Sequence, residues 1–134
     1  MLLEIDHHSG VPIYRQIKDQ VREQIMAGRL KEGEQLVSVR ELAVQLKVTP
    51  VTISKAYSAM EAEGLLERRR GIGLFIAEIH SDKKDQTKEE ILETHLSKAV
   101  TTAIQFGLSQ EKTEKMMKDL FFKFRKETKE TSNE

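Results

Sequence analysis

The chain has 134 residues, 38% hydrophobic and 33% charged, with 22 basic and 22 acidic side chains and a formal net charge of zero. A neutral total excludes a general polyanion sponge, so any nucleic-acid contact must come from where individual charges sit. The absence of cysteine excludes disulfides, thiolate nucleophiles and cysteine metal cages, and it fits a reducing cytoplasm.

The opening "MLLEIDHHSG" lacks the basic start of a signal peptide, and no apolar run approaches the ~20 residues that span a bilayer. Pro12 suits the first position of a helix. Ile13, Ile17, Val21 and Ile25 then recur at four-residue steps, the buried stripe of an amphipathic helix, and Gly28 stops it. The connector "RLKEGEQLV" is polar, with Leu30 and Leu36 as inward anchors. Ser38 and Glu41 have the spacing of a capping box and open a second, short helix with Leu42, Ala43 and Leu46 on its apolar side. "KVTP" ends it. Thr49 caps a third helix with Pro50 at its first position, where Ile53, Ala56, Tyr57 and Met60 share one side and Gly64 ends the run.

Beyond Gly64 the period changes. "LLERRR" and "LFIAEI" read as strands around Arg70-Gly71-Ile72-Gly73, whose glycines permit a tight turn. Strand alternation places Arg68 and Arg70 on one face of this hairpin and Arg69 on the other. Residues 80–87 are polar and read as a linker. A fourth helix is expected from about Lys88 to Phe106, with Leu92, Leu96, Ala99, Val100, Ala103 and Phe106 along its seam. After Gly107, Ser109 caps a fifth helix with Met116, Met117, Leu120, Phe121 and Phe124 as its apolar face. Residues 127–134 read as a disordered end.

The expected fold is therefore mainly helical with a small β-hairpin: a winged helix-turn-helix over 11–79, a linker at 80–87 and a two-helix tail at 88–126. Charge placement points this domain at a duplex. From Thr49 to Met60 the sole ionic side chain is Lys55, and the acids Glu61 and Glu63 are held to the last turn. The outer face carries Val51, Thr52, Lys55 and Ser58, groups able to meet phosphates, base edges or a thymine methyl. Arg40, in the first turn of the second helix, gains nothing from the helix dipole there, so it serves either a partner outside the fold or a salt bridge to a nearby Glu. A narrow, glycine-tipped basic hairpin can enter a minor groove. The competing reading is a winged-helix protein-interaction module that does not read DNA.

The stretch "SVRELAVQLKVTPVTISKAYSAMEAEGLLERRRGIGLFIAE", with upstream "PIYRQI" and "IMAGRLKEGEQL", resembles the DNA-binding domain of GntR-type bacterial transcription regulators over roughly residues 11–79. The resemblance implies that Arg40 contacts operator DNA, that Thr49 and Thr52 contact phosphate or bases, and that Arg70 and Gly71 form a tip entering the minor groove. It departs at Val37, where the family usually has proline, and at Pro50 and Val51, where many members have arginine or asparagine. The short tail resembles the YtrA-like subfamily. That implies a dimeric, sequence-specific regulator, a repressor of an operon such as a transporter operon.

Ser38, Arg40, Thr49, Val51, Thr52, Lys55, Arg69, Arg70, Gly71 and Gly73 are thus the candidate DNA-contacting residues. Leu92, Leu96, Ala99, Val100, Ala103, Phe106, Leu120 and Phe121 are the candidate dimer contacts, since two helices alone cannot cover these seams. The partners implied are an inverted-repeat DNA duplex and a second copy of the chain. A small effector would be left the tail helices or the crevice beside the winged domain. No membrane contact, metal, cofactor or enzymatic activity is expected. Neither a nucleophile elbow nor HExxH occurs, and His7, His8, His80 and His95 are scattered.

Overall fold

The elements run α1 (Ile13–Met26), α2 (Val39–Leu46), α3 (Pro50–Ala62), β1 (Leu66–Arg69), β2 (Gly73–Ile76), α4 (Ser81–Gln105) and α5 (Gln110–Ser132). The computed structural model describes residues 1–132, with side chains through 128. Two compact units divide the chain, Met1–Glu89 and the segment from Glu90 onward.

In the first unit, α3 packs against α1, α2 and β1. Ile17, Val21 and Ile25 of α1, Leu42 and Ala43 of α2, and Ile53, Ala56, Tyr57 and Met60 of α3 are all buried together. Each large aliphatic side chain so covered contributes roughly 1.5–3 kcal/mol, which offsets the weak intrinsic stability of short helices. The serine and threonine caps form, Ser38 supplying its half of the expected capping box. Ser38 Oγ accepts the Glu41 amide at 3.2 Å, and Thr49 Oγ1 accepts the Thr52 amide at 3.4 Å. Between the two helices Lys47 takes a left-handed φ of 56°, which stops α2 after two turns.

The N-terminal segment, outside the expected domain, is held on α1 by a ladder of glutamines. Gln24 Nε2 donates to Leu2 O at 2.7 Å. Gln20 exchanges two bonds with the backbone of Glu4, and Gln16 two with that of Asp6. Four residues of helix advance ~6 Å and two residues of extended chain ~6.6 Å, so side chains at every fourth helical position meet alternate residues of the segment. Met1, Leu3 and Ile5 then turn toward the core.

β1 and β2 pair antiparallel, Leu66 opposite Ile76 and Arg69 opposite Gly73. Residues 33–36 line the other edge of β2: Leu36 N donates to Leu74 O at 2.9 Å and Ile76 N to Glu34 O at 2.8 Å. The connector thus serves as a third strand-like segment of the wing, with Leu30 and Leu36 buried as expected.

The expected linker at 80–87 is different. α4 begins at Ser81 and runs without a break to Gln105. No proline or glycine interrupts this polar stretch. His80 Nδ1 accepts the Asp82 amide at 3.3 Å, Asp82 suits the positive end of the dipole, and Thr87 is buried. Polarity had concealed a helix start. In the second unit α4 and α5 flank a turn at Gly107, which takes a φ of 71°. Ser109 Oγ accepts the Lys112 amide at 3.1 Å and caps α5. α5 continues through Ser132, so the expected disorder from 127 does not begin there; residues 133–134 lie outside the described residues.

Candidate nucleic-acid interface

The front of α3 is built as its sequence suggests. Val51 is 76% exposed, and Lys55 and Ser58 are exposed beside a half-buried Thr52. Thr49 Oγ1 and Thr52 Oγ1 lie 3.0 Å apart and share one hydrogen bond, so the two hydroxyls act as a joined pair at the positive end of the helix. Lys55 Nζ sits 4.2 Å from the centre of the Tyr14 ring of α1. That contact steadies a side chain otherwise free to sweep solvent.

The rear of α3 is locked in place. Tyr57 is 2% exposed, and its hydroxyl donates to Val37 O at 2.8 Å. Burial pushes its phenol well above the ordinary tyrosine value, so it remains a neutral donor. This bond fixes the residue just before the Ser38 cap, and hence the first turn of α2, where Arg40 is exposed and makes no ion pair among the described residues.

The acids at the end of α3 are neutralised within the fold. Lys18 Nζ meets the Glu63 carboxylate at 2.9 Å, while Lys83 Nζ donates to the Glu63 backbone carbonyl at 2.7 Å and satisfies the helix end rather than the acid. Arg68 grips Glu61 with two bonds of 3.2 Å each. A carboxylate-free front and paired carboxylates behind leave α3 with its positive face outward.

The arginine triplet divides three ways. Leu66, Leu74 and Ile76 face the core, so strand alternation turns Arg68 to the same side, where it reaches Glu61. Arg69 lies on the opposite face. Its partner Gly73 has no side chain, and the guanidinium extends across it to the Phe75 ring, 4.0 Å from the ring centre, with Glu67 4.0 Å away. Arg70 is beyond β1, in the turn. The shared basic face expected for Arg68 and Arg70 therefore does not form, and Arg69 enters the interface only as a stacked group. Among the described residues Arg70 alone of the three has no ion pair or ring contact.

The tip has a defined shape. Ile72 N donates to Arg69 O at 3.0 Å and Gly71 has a φ of 76°, the pattern of a type II turn. Gly73 follows at a φ of 139°, and a Cβ there would lie 3.0 Å from Gln35 Nε2. The same Gln35 nitrogen donates to Ile72 O at 3.0 Å, tying the tip to the 33–36 segment. Gln35 and Tyr14 were missed in sequence because each acts through a neighbour distant in the chain.

The family model for bacterial regulatory proteins of the gntR family matches residues 13–76, which include α1 through β2. The chain is also 35% identical over 119 residues to the HTH-type transcriptional repressor YtrA of Bacillus subtilis, covering 89% of this chain and 92% of that one. The chain belongs to the gntR family. Its resemblance to YtrA extends through the short tail, and family members of this kind are DNA-binding transcription regulators rather than enzymes. A GntR family transcriptional regulator from Listeria monocytogenes superposes with a TM-score of 0.73 at 30% identity, over 86% of this chain and 98% of that one. The DNA-binding domain of AraR, solved in complex with operator ORX1, superposes with a TM-score of 0.51 at 29% identity, over 56% of this chain and 96% of that one.

Among the described residues no group of acids and histidines is arranged to hold a metal, and no helix is long and apolar enough to cross a membrane. The tail seam is uncovered: Leu92, Leu96, Val100, Phe106, Leu120 and Phe121 are between 39% and 73% exposed. Ala99 is exposed as well, whereas Ala103 is buried beside the Gly107 turn.

Proposed function

We propose that this chain is a cytoplasmic, homodimeric repressor that binds an inverted-repeat operator, with the front of α3 in the major groove and the wing tip in the minor groove. Thr52, Val51 and Lys55 face base edges and phosphates, Thr49 and Ser38 offer hydroxyls at helix starts, and Arg40 binds the backbone or a base from α2. Arg70 occupies the minor groove, Gly71 and Gly73 keep the tip narrow, and Arg69 stiffens it against Phe75. The observation that carries this reading is the carboxylate-free, exposed front of α3, with Glu61 and Glu63 at its far end paired to Arg68 and Lys18. The likeness to a repressor in Bacillus subtilis supports the sign of regulation, and we take a nearby transporter operon as the target class.

Dimerisation through residues 88–125 covers the tail seams and holds two winged domains on half-sites one or more helical turns apart, ~34 Å per turn. Selection of bound fragments from the source genome at physiological salt tests the whole reading. Enrichment of one inverted repeat is the expected result. Failure to enrich any sequence supports instead a winged-helix module that binds protein.

A further inference from the structure

Beside Arg70 and Gly71 the wing tip presents Ile72, an isoleucine 63% exposed in a hairpin whose other apolar residues, Leu66, Leu74, Phe75 and Ile76, are buried. Both backbone groups of Ile72 are bonded. Its amide donates to Arg69 O at 3.0 Å, and its carbonyl accepts from Gln35 Nε2 at 3.0 Å. Gly71 and Gly73 on either side carry no side chain, so Arg70 and Ile72 are what the turn itself puts forward. A β-branched side chain has few rotamers to lose, and a backbone held from two sides has little left to order. This isoleucine is therefore set in place before any partner arrives.

We propose that Ile72 is a specificity-determining residue, which lies against the floor of the minor groove and makes the wing select A·T over G·C pairs there. The inference rests on the minor-groove placement of the wing given above and names what that site prefers. Arg70 alone discriminates weakly by hydrogen bonding, because its guanidinium finds acceptors on every pair. What distinguishes the pairs in this groove is the 2-amino group of guanine, a donor. Arg70 is a donor too, and the Ile72 side chain accepts nothing, so an amino group pressed against this tip loses its water and gains no partner. An A·T pair has no such group, and an apolar side chain packs against it without that cost. Apolar side chains meet base steps in this way in proteins that bind the minor groove.

The test uses the intact chain and the inverted repeat enriched from the genome, with each base pair in turn made A·T, G·C, inosine·C or 2,6-diaminopurine·T. Inosine is guanine without its 2-amino group, and 2,6-diaminopurine is adenine with one. The analogues thus exchange minor-groove patterns and leave the major-groove pattern as it was. Positions under α3 sort A·T with diaminopurine·T, and positions under the wing sort A·T with inosine·C. At the wing positions wild type is expected to bind G·C and diaminopurine·T about tenfold more weakly than A·T and inosine·C. Ile72→Ser supplies a hydroxyl that accepts from the amino group. It is expected to bring all four pairs within about threefold of one another, while urea unfolding stays near wild type. Ile72→Val is expected to keep the discrimination. An unchanged tenfold ratio in Ile72→Ser would overturn the role of Ile72 and assign the preference to the groove width that Arg70 senses. Absence of any position that sorts A·T with inosine·C would overturn the selectivity altogether. The minor-groove placement of the wing then stands if Arg70→Ala still weakens binding, and falls as well if Arg70→Ala binds like wild type.

Discussion

Replacing Arg70 and Arg68 by alanine, one at a time, separates a residue proposed to meet DNA from one that holds the fold. Arg70 is exposed in the turn and has no ionic or ring partner among the described residues, so Arg70→Ala leaves stability unchanged. Its loss removes one contact with the duplex, which lowers the slope of log affinity against log salt by ~0.9. The accompanying loss is about 1–2 kcal/mol, roughly five- to thirtyfold in Kd. Arg68 grips Glu61 with two bonds of 3.2 Å, and the pair is 54% and 34% exposed. A bidentate pair this open to water stabilises by ~0.5–1 kcal/mol. Arg68→Ala therefore lowers the urea midpoint and leaves the salt slope near wild type. The assays are anisotropy titrations of a selected operator across a salt series, and urea unfolding of each variant. A lost salt slope in Arg68→Ala with an intact one in Arg70→Ala would refute this division of the triplet.

Three further outcomes are expected. In a Tyr14→Phe background, the Tyr57 phenol stays neutral past ~10, where an unfolded tyrosine ionises, so stability is full below that pH and falls as pH rises above it; ultraviolet difference titration with parallel unfolding checks this. Gln20→Ala removes both bonds to the Glu4 backbone and exposes that amide, so hydrogen exchange at Glu4 speeds up while α3 amides keep their protection. Gly71→Ala meets open space but must adopt a φ of 76°, which costs ~1 kcal/mol and weakens operator binding by distorting the tip, readable in unfolding and anisotropy together.

Periodicity and end signals made the first unit legible. Ile17, Val21 and Ile25 announced α1, Ser38 and Thr49 announced the starts of α2 and α3, and Gly71 and Gly73 announced the turn, because each acts within a few residues of itself. What escaped depends on partners distant in sequence. The face that strand alternation assigns jointly to Arg68 and Arg70 gives way because Arg68 turns to Glu61, and the ring contact of Arg69 depends on Phe75. The connector at 33–36 has strand character only because β2 presents an open edge. Gln16, Gln20 and Gln24 stand at helical spacing and were visible, but their meaning required the extended N-terminal segment opposite them. Residues 80–87 read as a linker by polarity alone, yet α4 starts at Ser81 because no helix breaker stands among them.

The central claim is that the front of α3 and Arg40 together form the DNA-reading surface. Operator affinity of an Arg40→Ala/Thr52→Val variant, measured at fixed physiological salt beside wild type, tests it most directly. Neither side chain supports the core, so circular dichroism and sedimentation should match wild type while affinity falls by about thirtyfold or more, as two lost contacts of ~1–2 kcal/mol require. A variant that binds the same operator as tightly as wild type would contradict the claim.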